Sequence, residues 1–569
     1  MRSKVAAAAL MSLLAAPALP QTKLVETIEV RVANIDVVVR DRAGNPVTGL
    51  TKEDFELYEN GVKQTVTNLY EVRRDAAAAV TATVPSSEAP AAPSPAVPLE
   101  VRQRRLLLFV DSASLHPARK KMVLAAAQKF VDRMLPEDQA MLVTWHLSVH
   151  VVTPFTSDKE ELKRGIAALE RYAPAGDSSN DAILQVKRNI QHIIGIIQTS
   201  RGGGNGPTAI MGWANGYQEA LKQVGTYSET LLREQGRLID ALERMVANFA
   251  GVDGKKVLLF VGEHLPERPG AELYRYTYDQ FAPYMGGQGN LDLQMISGVM
   301  GNNRPQQIEE FAKKASGGGV AIYAIDAAQI DSELSAAEGG EMQVDYGENF
   351  ARHANTASSF QTMASITGGV AVTQTSNFDL AFDTISRDLD SYYSLGYKPA
   401  GEASAAARKI VVKMKDRAYS VRSRESLVMK STDDQMNEKV VANLYTDASA
   451  SAWPIAVRTG RPKQDGRAFL VPIEVAMPST ITLLPQEQNL VGAFTLYFVV
   501  GTGDGRSSEV MRRPRELRIP ATAEPMVRAK PMTFTTAIRV SPGESLLSVA
   551  VIDQISGTTG FARTKILAR

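Results

Sequence analysis

The run Leu106-Leu107-Leu108-Phe109-Val110 is apolar without alternation and stops at Asp111, Ser112 and Ser114. Such a run suits a strand buried on both faces of a parallel sheet. Ligands of open parallel sheets bind beyond the carboxyl ends of the strands, which puts Asp111 at the working rim. Pro117 then opens an amphipathic helix with Met122, Val123, Ala126, Phe130, Val131 and Met134 on one face. Further strands are expected at 140–145, 255–261, 320–325 and 370–373. Ser157-Asp158-Lys159-Glu160 reads as a capping box opening a helix that runs to Arg171. Segments 308–315 and 359–366 are the helices feeding the last two strands, and Gly368-Gly369 supply a left-handed cap. This alternation predicts an α/β domain of Rossmann-like architecture over 101–400, its sheet mainly parallel with right-handed crossovers and helices on both faces.

The pattern changes at both ends of that domain and once inside it. Residues 25–72 alternate apolar and polar positions around the turns Ala43-Gly44-Asn45-Pro46 and Asn60-Gly61. This β segment is too small to hold a core alone, and so are the strands expected within 401–430. Segments 25–72 and 408–423 are therefore expected to pack as one sandwich into which the α/β domain is inserted. Residues 75–100, rich in Ala, Pro and Ser, read as a solvated linker. An insertion at 178–250 carries Ile183, Val186, Ile190, Ile193, Ile194 and Ile197 at helical spacing, then Leu238, Ile239, Leu242, Met245 and Val246. It predicts a helical hairpin covering the sheet laterally, with a partner-binding arm as the alternative. The stretch 263–305 is a long loop with Tyr274, Tyr276, Tyr278, Phe281 and Tyr284 close together, either a binding surface or a local lid. Beyond 438, alternating runs such as Phe469, Val471, Ile473, Val475 predict a C-terminal β-sandwich of immunoglobulin-like form over 438–569.

Composition narrows the function classes. Lys and Arg number 63 against 62 Asp and Glu in 569 residues, so no electrostatic case exists for nucleic acid. Arg2 and Lys4, an apolar stretch 5–15 and Ala16-Pro17-Ala18 form an export signal over 1–18. After its removal no apolar segment is long enough to span a bilayer, which predicts a secreted or periplasmic protein. The chain has no cysteine, so its folds rest on burial alone.

Catalytic motifs are missing: no G-x-S-x-G elbow, no H-E-x-x-H and no P-loop. His146 and His150 fall on or beside a strand, where four residues span about 13 Å, too far for one metal shell. The glycine clusters 202–206 and 286–289 lack a preceding strand and read as loops. No enzyme activity is expected.

Four phrases recur here in a fixed order. They are Val47-Thr48-Gly49-Leu50-Thr51-Lys52-Glu53-Asp54-Phe55; Leu108-Phe109-Val110-Asp111 with Phe155-Thr156-Ser157-Asp158; Gly254-Lys255-Lys256 with Ile322-Tyr323-Ala324-Ile325-Asp326-Ala327; and Thr367-Gly368-Gly369 with Ser391-Tyr392-Tyr393-Ser394-Leu395-Gly396-Tyr397-Lys398-Pro399. Together they resemble the von Willebrand factor A-related family of exported bacterial proteins, abundant in acidobacteria. The resemblance covers about 25–427 and implies a Rossmann-like A domain serving adhesion or protein–protein contact. The wider fold binds ligands through a metal-ion-dependent adhesion site: a D-x-S-x-S loop, a threonine from a second loop and an aspartate after a later strand. Mg²⁺ there needs near-octahedral oxygen ligation, completed by the partner's carboxylate.

This chain departs from that pattern. Asp111 matches the first position, but Ala113 and Leu115 stand at the two serine positions, and Gly262-Glu263 replace the later aspartate. The expectation is a degenerate site with no resident metal, Mg²⁺ included, and no cofactor. Asp111, Ser112, Ser114 and Glu263 are then the partner-binding edge for a protein of unknown identity. The alternatives are an envelope hydrolase with an unrecognised site, or a structural component of a surface assembly with homo-oligomeric contacts.

Overall fold

The computed structural model describes residues 32–73, 102–172, 176–199, 207–263, 265–284, 306–328, 346–401, 404–445, 452–502 and 506–569. The expected export signal, the linker 75–100, both glycine clusters and the end of the 263–305 loop lie outside them.

The β segment contributes β1 (Ala33–Arg40), β2 (Phe55–Glu59), β3 (Val62–Gln64) and β4 (Val66–Arg73). The A domain follows with β5 (Arg104–Asp111), α1 (Pro117–Asp132), β6 (Gln139–Trp145), β7 (Val149–Thr156), α2 (Lys159–Ala168), α3 (Gly176–Thr199) and α4 (Pro207–Ala250). It continues through β8 (Lys255–Gly262), α5 (Ala271–Phe281), α6 (Gln306–Gly317), β9 (Val320–Asp326), α7 (Tyr346–Thr367), β10 (Ala371–Val372) and α8 (Phe378–Asp390). Its six-stranded sheet has the order β10-β9-β8-β5-β6-β7. All neighbours run parallel except the edge pair β6–β7.

The apolar run of β5 explains its central place. Leu106, Leu108 and Val110 point into one core, shared with Val123, Phe130 and Val131 of α1 and Phe382 and Ile385 of α8. Leu107 and Phe109 point into the other, with Leu242 and Met245 of α4, Phe311 of α6 and Phe360 of α7. Each residue of β5 is buried, so alternation serves two cores and not a core and solvent. Gly368 adopts a left-handed conformation at φ 79° beyond α7. The next residue, Gly369, passes so close to the Ile322 carbonyl that a Cβ there would collide with it.

Two local readings need correcting. Asp158, not Ser157, caps α2, accepting from the amides of Glu160 and Glu161, because it is the residue immediately before the first turn. Met122 is 48% exposed and lies off the core face of α1.

A larger correction concerns 391–397. This segment falls inside the span read as the A domain, yet it forms β11 (Ser391–Tyr397) of a different sheet. With β12 (Ser404–Met414), β13 (Ser420–Ser423) and β14 (Ser426–Met429), it completes two four-stranded sheets, β13-β1-β11-β4 and β14-β12-β2-β3. β1 is flanked by β11 and β13, and β2 pairs with β12. Ile35, Val37, Leu57, Tyr393, Leu395, Ile410 and Leu427 form their common core. The Tyr393 hydroxyl reaches across to donate to Val47 O and accept from Leu50 N. Residues 404–429 thus close a sandwich opened before the A domain begins.

The insertion is two helices, α3 and the 44-residue α4. The carboxyl half of α4 covers the sheet through Leu238, Leu242, Met245 and Phe249. Its amino half extends beyond it and forms a separate apolar cluster with Ile190 and Ile194 of α3. The aromatic loop is in part a helix, α5, because its tyrosines recur at helical spacing against that arm. Tyr274 and Phe281 are buried in the arm's cluster, and Tyr284 stacks on Trp213 at 4.0 Å. Those aromatics brace the arm.

After α9 (Thr432–Ala442) come two further sheets. One joins β15 (Ala456–Thr459), β16 (Lys463–Asp465), β17 (Ala468–Met477) and β21 (Met532–Val540). The other joins β18 (Leu484–Gln486), β19 (Asn489–Gly501), β20 (Met511–Pro520), β22 (Gly543–Asp553) and β23 (Thr559–Ala568). They share a core built from Val471, Ile473, Leu496, Phe498, Val549 and Val551.

Candidate functional site

Strand order brings three acids to one rim. β8 and β9 lie in succession beside β5, with Gly262 opposite Asp326, so Asp111, Glu263 and Asp326 end adjacent strands. Asp111, Ser112, Ser114 and Glu263 do come together, but all are buried, at 4%, 0%, 8% and 1% exposure. They form the floor of the rim and present no side chain as an open edge.

The contacts explain that burial. Asp111 Oδ1 accepts from the amides of Ala113 at 3.1 Å and Ser114 at 3.2 Å, which folds the loop back on the strand. The hydroxyls of Ser112 and Thr144 lie 2.7 Å apart, and Thr144 is also 2.9 Å from Val110 O, so Ser112 is turned into the sheet. Ser114 Oγ donates to Asp111 O and accepts from the Glu263 amide at 3.1 Å. Glu263 takes a two-pronged guanidinium from Arg119, Nε to Oε1 at 2.9 Å and Nη2 to Oε2 at 2.7 Å. The His116 amide also donates to Oε1, tying the first turn of α1 to the rim.

Among the described residues, two carboxyls have no cation in contact. Burial, with Glu263 adding repulsion, pushes Asp111 up to about 6 against the pull of its Ser114 and Ala113 hydrogen bonds. Burial likewise pushes Asp326 up to about 7, offset in part by the Ala328 amide and Arg119. Asp326 Oδ2 is buried with no hydrogen-bond partner among the described residues.

A Mg²⁺ shell needs several free oxygens in near-octahedral array. Here one Asp111 oxygen is occupied by amides, Ser112 faces away, Ser114 is spent on the backbone, and Glu263 is neutralised by Arg119. These residues do not fit the ion. Among the described residues no group of three or more His, Asp or Glu is arranged to hold a metal.

Above the floor opens a cleft of about 280 Å³ between the rim and the helical arm. Asp111 and Ser114 line its base, Trp145 and Leu147 one side, Leu231 and Gln235 of α4 another. Leu147 is 70% exposed and held at φ 64°, a left-handed conformation unusual for a branched apolar residue. The Gln235 Oε1 is buried with no hydrogen-bond partner among the described residues.

Sequence reasoning passed over Arg119, Thr144 and Asp326. Asp326 carries a legible signal, an apolar strand ending in an acid as β5 does; Arg119 and Thr144 act through contacts that no spacing announces. The histidines also need correction. His146 and His150 flank the β6–β7 hairpin turn, and both rings lie against Tyr172, at 5.8 and 5.6 Å. A turn, not an extended strand, separates them, so the 13 Å spacing does not apply. Burial, with His150 and Lys120 nearby, lowers the His146 pKa.

This sheet, with its acid-ended central strand, defines a von Willebrand factor type A domain, and the family model of that domain matches residues 107–193. The chain carries this domain between β-rich regions. No curated protein matches the chain. Among solved structures, it is similar to a von Willebrand factor type A protein from Catenulispora acidiphila at 10% identity, covering 82% of this chain and 66% of that one, TM-score 0.24. An aerotolerance-related membrane protein from Bacteroides fragilis aligns at 11% identity over 50% of this chain and 98% of its own, TM-score 0.22. Three amino-terminal domains of the type V pili tip protein Mfa5 from Porphyromonas gingivalis align at 10% over 79% and 74%, TM-score 0.23.

Proposed function

We propose that this chain is an exported, non-catalytic adhesion or interaction protein whose A domain recognises a partner protein without a bridging cation. Von Willebrand factor type A domains mediate protein–protein contact. The observation that carries the cation-free reading is the Arg119–Glu263 pair, buried where the adhesion-site acid and its ion would meet. Guanidinium supplies internally the positive charge that a divalent ion would bring, and its planar fork satisfies both carboxylate oxygens. Recognition then falls to the cleft above, where an apolar wall and a few polar groups meet a protruding side chain of the partner. Among the described residues no helix is long and apolar enough to cross a membrane.

Crosslinking capture from the native envelope tests this reading. The same partner is expected with excess chelator as with Mg²⁺, and Leu147→Glu, at an exposed position, is expected to reduce its recovery about tenfold or more by placing a charge against a desolvated contact. Recovery abolished by chelator, or unchanged by Leu147→Glu, would refute the proposal.

A further inference from the structure

A second cavity, of about 290 Å³, opens at the opposite, amino-terminal edge of the A-domain sheet, against β1 and β11 of the sandwich. Lys255 and Lys256 reach it from the start of β8, Asn34 and Asp36 from β1, and Arg424 from the link between β13 and β14. Three cations therefore converge on one cavity.

Their partners differ. The Lys255 ammonium lies 3.2 Å from the centre of the Tyr392 ring and 3.8 Å from Asp36 Oδ2, so it is engaged. Among the described residues, Lys256 Nζ donates only to the Val252 carbonyl, at 3.2 Å. Arg424 Nη2 donates to Asn34 O at 2.7 Å, while its Nε is buried with no hydrogen-bond partner among the described residues. Asp253, the other acid at the cavity, is drawn to Lys439 at 3.3 Å. Among the described residues no carboxylate stands within ion-pair distance of Lys256 or Arg424.

Holding two partly buried cations side by side is costly unless something neutralises them. Burial, reinforced by Lys430 and Arg424 and only partly offset by Asp253 and Glu438, brings Lys256 down to about 8, and burial also lowers Arg424 despite Asp36 nearby. Structural ion pairs in this protein look different: Arg408 with Glu59, and Arg104 with Asp138, each meet a carboxylate directly. Gly319 lies against both cations. Gly319, at φ 74°, leaves a side chain's room against Arg424 Nη1, which a Cβ would approach to 3.1 Å.

We infer that this cavity is an anion site, in which Lys256 and Arg424 hold a tetrahedral oxyanion of the phosphate type between the A domain and the sandwich. An ammonium and a guanidinium, one a compact charge and one a planar fork, are the usual donors to such an oxyanion. Because the cavity is lined from both sheets, the bound anion would also brace the two against each other.

Calorimetry and thermal unfolding of the full chain with inorganic phosphate test the site. Saturable binding is expected, with a concentration-dependent rise in Tm. Lys256→Gln and Arg424→Gln are each expected to weaken it about tenfold or more, while the exposed Lys409→Gln leaves it unchanged. Without phosphate, Lys256→Gln is expected to be at least as stable as the parent, since a partly buried charge beside Arg424 has been removed; a purely structural lysine would instead cost stability under both conditions. Absence of saturable binding, equal affinity in the variants, or acetate binding as well as phosphate would overturn the inference.

Discussion

Glu263→Ala is expected to lower the stability of the A domain by about 3–5 kcal/mol, the usual cost of removing one partner from a buried ion pair. The Arg119 side chain is 11% exposed and that of Glu263 1%, so water cannot replace the lost carboxylate. The substitution also strips the His116 amide of its acceptor at the start of α1. Chemical denaturation followed by circular dichroism measures the loss. A paired Arg119→Met, Glu263→Leu variant is expected to regain most of it, because apolar side chains of similar volume avoid stranding a charge. A loss below about 1 kcal/mol for Glu263→Ala would indicate a solvent-exposed pair and contradict the geometry.

The second large effect is on pH. Asp111 and Asp326, raised to about 6 and about 7, hold protons in the folded protein that an unfolded aspartate, at about 3.9, releases. Between those limits the folded state binds more protons, so their contribution to stability is full below about pH 4 and is lost as pH rises through 6 to 7. The Asp388 and Asp553 carboxyls, held below the ordinary range despite burial, act oppositely. Arg422 leads the pull at Asp388, and backbone amides, Thr482 first, do so at Asp553; their contribution fades only below about pH 4. The expected result is a Tm that climbs as pH falls from about 8 to 5, by an amount on the order of a few kcal/mol in stability. Asp326→Asn is expected to flatten most of that slope. A Tm that is level across this range in the parent protein would contradict the burial of these acids.

Much of the fold was legible because its strongest signals are local. The uninterrupted apolar run of β5, the helix spacing after Pro117 and the glycines at 368–369 each report their own surroundings, and the parallel A-domain sheet follows from them. β11 was less legible. Its residues read as a strand, but its partners β1 and β4 lie more than three hundred positions away, and periodicity names no partner. The same limit governs the rim. Asp111 and Glu263 were recognisable as strand-terminal acids, whereas the neutralisation of Glu263 depends on Arg119, a helix residue whose side chain must cross to another strand. The histidine spacing failed for a related reason: a turn at Leu147–Ser148 reverses the chain between them.

In the proposed function an internal guanidinium takes the cation's place. Titrating the full-length protein with Mg²⁺ and Mn²⁺ by calorimetry tests it most directly. No saturable heat is expected at millimolar ion, in the parent and in Asp111→Ala alike. One-to-one binding in the parent that disappears in Asp111→Ala would contradict it.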